Sequence, residues 1–198
     1  MSQRAPLIVC AVFLLVLFGT IFILEQRRNS PPVDPWQLPN GIKIINRAEN
    51  RQSLVNTAEG YEFIIPSGWQ REAIDKTNYV ALYSPETQNQ KTDGDLEEGC
   101  KLVVGVDPKT QSLEEIEESE KESNQEWHTV KENSYSRIKL QNYEGLKEIL
   151  NSEEGGYSIS LYVPRNEKLY NLVMMSAEKD RTLCTDYFDA FLETFSFK

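Results

Sequence analysis

From Ala5 to Leu24 the chain carries no charge and only one strongly polar side chain, Thr20, whereas beyond Arg27 apolar and polar positions alternate in short runs. As a helix rising about 1.5 Å per residue, the first run is roughly 30 Å long, the thickness of a bilayer's hydrocarbon core. It exceeds the roughly 7 to 15 residues of a secretory h-region and ends Phe22-Ile23-Leu24-Glu25-Gln26-Arg27-Arg28, without a small-x-small cleavage site. The pattern therefore predicts a short flank at 1–4 and a retained transmembrane anchor over 5–25. Cys10 reads as an ordinary membrane residue, since most of the apolar run follows it.

Residues 26–50 read as a spacer and entry segment, with Ser30-Pro31-Pro32-Val33-Asp34-Pro35 stiff and extended. Residues 51–198 then form one domain with a real core. Tyr61, Phe63 and Ile65 alternate along a strand that ends at Pro66-Ser67-Gly68. Further strands are expected over 79–84, 101–106, 136–140, 146–150, 157–163 and 168–175. Glu154-Gly155-Gly156 and Arg165-Asn166-Glu167 mark hairpin connections, so the second half is an antiparallel meander. Two helices interrupt the strands. Ser112 and Glu115 form a capping box that starts a Glu-rich helix running to about Trp127. The second starts near Asp180 and carries Leu183, Cys184, Tyr187, Phe188, Phe191 and Leu192 on one broad apolar face. The fold class is α+β.

The segment Asn56-Thr57-Ala58-Glu59-Gly60-Tyr61-Glu62-Phe63-Ile64-Ile65-Pro66-Ser67-Gly68-Trp69, an aromatic-rich strand running into a Pro-x-x-Trp turn, resembles the opening hairpin of PsbP-like and Mog1-like domains. The ending, Tyr187-Phe188-Asp189-Ala190-Phe191-Leu192-Glu193-Thr194-Phe195-Ser196-Phe197, resembles the last helix and final strand of small bacterial members. The resemblance covers 53–198 and implies an antiparallel sheet sandwiched between helices. Its members include photosystem accessory proteins, a nuclear-transport factor and bacterial envelope proteins, so it implies no single function. With an anchor in front, an envelope protein is the nearest match. Pro66, Gly68 and Trp69 are read as turn and core residues of that fold.

Net charge is -10, and removing Arg4, Arg27, Arg28 and Glu25 leaves the rest of the chain more acidic still. Nucleic acid is not an expected partner, because phosphate binding needs clustered Lys and Arg. Charge does not decide the side of the membrane: Arg4 and the amino terminus oppose Arg27 and Arg28. The cysteines bear on it instead. Cys100 at a strand start and Cys184 on the last helix are either a bridge tying helix to sheet or two separate buried thiols, and a bridge favours an oxidising compartment.

Asp93-Gly94-Asp95-Leu96-Glu97-Glu98 sets carboxylates in a turn and makes Asp93, Asp95 and Glu97 weak calcium candidates, although the register is not that of an EF-hand. The competing reading is a solvated loop. His128 is the chain's one histidine, so a Ser-His-Asp triad would have to use it. Gly-x-Ser-x-Gly, a phosphate-binding Gly-rich loop and His-Glu-x-x-His are absent. No catalytic residue and no cofactor is expected. The expected function is a single-pass, membrane-tethered, extracytoplasmic accessory domain that binds an envelope protein or ligand. The alternatives are a calcium- or small-ligand-binding receptor and an envelope hydrolase.

Overall fold

The computed structural model describes residues 38–72, 74, 76–87, 96–126, 130–153 and 155–198. The compact unit runs from Leu38 to Lys198, and its first strand, Ile42–Asn46, falls within the segment read as spacer and entry. Among the described residues no helix is long and apolar enough to cross a membrane. The expected anchor at 5–25 and most of the Pro-rich spacer lie outside them.

Two antiparallel sheets and two helices make up the unit. The smaller sheet has the order β1-β2-β3-β11, from β1 (Ile42–Asn46), β2 (Gln52–Asn56), β3 (Tyr61–Ile65) and β11 (Ser196–Phe197). The larger has the order β4-β5-β6-β10-β9-β8-β7. Its strands are β4 (Gln70–Arg71), β5 (Tyr79–Tyr83), β6 (Cys100–Asp107), β7 (Val130–Leu140), β8 (Tyr143–Ser152), β9 (Gly156–Arg165) and β10 (Lys168–Ala177). Where the sequence leads one to expect a single sheet, the amino-terminal strands form a second. β1 and β2 are short and their polar Ser53 and Asn56 are buried, so neither shows a clean alternation.

Strand pleating divides the larger sheet into two faces. Along β6, Cys100, Leu102, Val104 and Val106 are buried on the inner face, and Ile159, Leu161, Val163, Tyr170, Leu172 and Met174 share that core from β9 and β10. Helix α2 (Arg181–Thr194) contributes Cys184, Phe188 and Phe191 to the same core. Phe191 meets Phe63 of the smaller sheet edge to face at 5.2 Å. Burial of each such side chain stabilises by about 1.5–3 kcal/mol. Leu183 departs from the expected helix face and is among the exposed large apolar residues.

Helix α1 (Leu113–Glu126) lies on the outer face, against β7, β8 and β9. The capping box forms as the sequence predicts: Glu115 N–H donates to Ser112 Oγ at 3.2 Å, and Ser112 N–H to Glu115 Oε2 at 2.8 Å. Ile116 is the helix's one fully buried apolar anchor, packed with Leu146, Tyr162 and Leu169.

Candidate functional site

Cys100 and Cys184 are joined by a disulfide, with Cα atoms 5.7 Å apart, so the bridge and not the pair of free thiols is present. Beside it, the Gly99 N–H donates to Asp180 Oδ2 at 2.9 Å, which fixes the entry of α2 against the start of β6. Trp69 N–H donates to Pro66 O at 3.2 Å, closing the Pro-x-x-Trp turn, and the indole packs edge to face on Tyr187 at 5.3 Å. Of the calcium candidates, Asp93 and Asp95 lie outside the described residues and Glu97 is exposed. Among the described residues no group of acidic, Cys or His side chains is placed to hold a metal. Trp127 and His128 also lie outside the described residues.

A polar cluster that the sequence reading overlooks lies between α1 and the outer face. Glu148 occupies the same phase of β8 as Leu146 and Leu150, and its side chain is carried under the helix, leaving the residue only 4% exposed. Its Oε1 accepts from Asn124 Nδ2 at 2.8 Å and Asn133 Nδ2 at 3.3 Å, and its Oε2 accepts from the Tyr162 hydroxyl at 3.1 Å. The Tyr135 hydroxyl accepts from the same two amides, at 3.1 and 2.7 Å. A buried carboxylate is tolerated when hydrogen bonds replace its hydration, and here neutral donors do so. Among the described residues no cation pairs with Glu148.

Glu120 of α1 approaches this cluster from above. Burial first, and the Glu148 charge second, push its carboxyl above the ordinary carboxylate range, against a hydrogen bond from Tyr162. The Tyr162 hydroxyl is pushed far above the ordinary phenol value by burial and by the charges of Glu148 and Glu120. Tyr135 moves the same way, again chiefly through burial. The signal in the sequence was Glu148 itself, an acidic residue in the apolar phase of a strand. Without the position of α1, it reads as an edge residue facing water.

The same outer face continues beyond α1 onto β5, β6 and β10. Registers align Tyr79 with Gly105, and Gly105 with Asn171, so these three form a row across the strands. Asn171 is in turn opposite Tyr162 on β9. Over Gly105 the row opens into a cavity of about 330 Å3, whose walls include Lys76, Tyr79, Asp107 and Asn171. The face thus offers a hydrogen-bonded acidic cluster under the helix and a solvent-open notch beside it.

No family model matches the chain, and no curated protein matches it. Among solved structures it is similar to the Ran-binding protein Mog1p of Saccharomyces cerevisiae, at 8% identity over 75% of this chain and 95% of that one, with a TM-score of 0.49. It is also similar to cyanobacterial PsbP (CyanoP) from Synechocystis sp. PCC 6803, at 14% identity over 83% and 99%, with a TM-score of 0.48. A third is LpqN, described as involved in cell envelope biogenesis of Mycobacterium tuberculosis, at 9% identity over 79% and 90%, with a TM-score of 0.48. Mog1p and CyanoP bear the names of the two groups that the terminal motifs resemble.

Proposed function

We propose that this chain is a membrane-tethered accessory domain that works outside the cytoplasm by binding a protein or ligand at the cell envelope. The observation that carries the reading is the Cys100–Cys184 bridge. Disulfides persist in secreted, periplasmic and cell-surface proteins and are rare where thioredoxin and glutathione keep thiols reduced. Further support comes from the uncharged run over 5–24, long enough to span a bilayer, and from the proline spacer behind it. The acidic balance suits a protein or small-molecule partner better than an anionic lipid surface or nucleic acid.

Topology is tested with Glu118→Cys, which places a thiol at an exposed position of α1, in a Cys10→Ser background. A membrane-impermeant maleimide labels this thiol in intact cells if the domain faces outward. Labelling seen only after lysis overturns the reading.

A further inference from the structure

Gly105 sits in the interior of β6, where glycine costs about 0.5–1 kcal/mol relative to alanine. Its φ is not in the left-handed region, and a Cβ built on it meets only Asn171, at 3.8 Å, which is ordinary van der Waals distance. Neither the backbone nor the packing of this protein therefore asks for glycine here. A glycine within a strand often marks the place where something else approaches the backbone closely.

The surroundings of Gly105 are uncommitted in the same way. Among the described residues Lys76 and Asp107 have no ion-pair partner, and Asn171 makes no side-chain hydrogen bond. Asn171 Oδ1 is shielded from solvent without a donor, a state that buried amide oxygens rarely keep. Tyr79, exposed on the other side of Gly105, offers a flat apolar wall. The cavity, at about 330 Å3, falls at the small end of the roughly 300–1,000 Å3 typical of ligand sites.

We propose that the notch over Gly105 binds a small zwitterion of amino-acid type. Its ammonium is taken by Asp107, its carboxylate by Lys76, and its carbon skeleton by the gap at Gly105 against the Tyr79 ring. A site lined by both a cation and an anion selects a ligand carrying both charges, because a singly charged analogue leaves one of them unpaired. This goes beyond a general binding role and holds whichever side of the membrane the domain faces.

The test uses the full chain in detergent micelles and ligand-observed saturation-transfer NMR. L-leucine and 6-aminohexanoate serve as zwitterions of short and long charge separation, and leucine methyl ester and N-acetylleucine as the singly charged controls. Saturable binding of at least one zwitterion is expected, weakened about tenfold or more by loss of either charge. Lys76→Ala and Asp107→Ala, both exposed substitutions, weaken it similarly. Gly105→Val fills the gap and abolishes binding. The proposal is overturned if neither zwitterion binds, if the ester and the acetyl derivative bind as well as leucine, or if binding survives both charge substitutions. Thermal melting of each variant separates loss of the site from loss of the fold.

Discussion

The side-chain amide of Asn124, on α1, donates to Glu148 Oε1, in β8, at 2.8 Å, and so joins the helix to the sheet through a carboxylate lying beneath it. With Ile116 as its one fully buried apolar anchor, α1 depends on this polar contact more than an amphipathic helix ordinarily does.

Glu148→Ala leaves Asn124, Asn133 and Tyr162 without their shared acceptor, and an orphaned buried group costs about 1–3 kcal/mol. The variant is expected to lose stability in that range in urea unfolding, with faster amide exchange along α1. Glu148→Gln keeps an acceptor oxygen and loses less. Equal stability of all three chains would count against a structural role for the cluster.

Docking of α1 should depend on pH through Glu120. The groups facing it are Glu148 of β8 and Tyr162 of β9, with Asn124 on α1 and Asn133 and Tyr135 of β7 in the same cluster and Lys121 over the Tyr135 ring at 5.2 Å. A carboxyl whose value is raised in the docked state stabilises that state fully below its ordinary value of 4.5, and the contribution is lost as pH rises through the docked value. Protection of the α1 amides, corrected for intrinsic exchange, is therefore expected to fall as pH climbs from about 4.5 toward neutrality. Glu120→Gln should flatten that slope and raise protection at pH 7. Identical profiles for the two chains would sink the idea.

The bridge closes a long loop, with 84 residues of separation between Cys100 and Cys184. In the chain-entropy model this is worth about 4 to 5 kcal/mol. Alkylation in denaturant without reductant should modify Cys10 alone, and with reductant all three cysteines. The Cys100→Ser, Cys184→Ser double variant should unfold at markedly lower urea. Three alkylations without reductant in protein trapped directly from cells would show that the bridge does not form there.

Two strand glycines should respond in opposite ways to alanine. A Cβ at Gly145 meets Leu161 Cδ1 at 2.9 Å, Tyr162 O at 3.0 Å and Val163 Cγ2 at 3.2 Å, so Gly145→Ala forces neighbours apart in the core. A loss of about 1–3 kcal/mol is expected, the usual range for overpacking. A Cβ at Gly105 meets only Asn171, at an ordinary 3.8 Å, so Gly105→Ala should leave the melting temperature unchanged or slightly higher. Similar losses at both sites would mean that the space over Gly105 is not free.

Local patterns carried the larger sheet's meander, both helices and the capping box into view, because each rests on neighbours close in sequence. The pairing of Cys100 with Cys184 was visible only as a choice between bridge and free thiols, since spacing does not reveal distance. β1 and β2 were missed because their pattern is short and their buried Asn56 looks polar: it is satisfied by donating to Thr77 O at 2.6 Å and accepting from Glu59 N–H at 3.0 Å. The outer-face cluster was illegible for a related reason. Glu148 and Asn124 acquire meaning only when a helix from elsewhere in the chain is laid over the strand.

The smaller sheet is completed by β11, whose Phe197 pairs with Tyr61, and Ile64 N–H reaches Thr194 Oγ1 across 130 residues. During synthesis β3 therefore waits, paired on one side only, until nearly all of the domain has been made. Contacts this distant slow folding, and an open strand edge that long in waiting is a template for pairing with another chain. The interval before residues 194–197 arrive is when this domain is most exposed to aggregation and most in need of a chaperone.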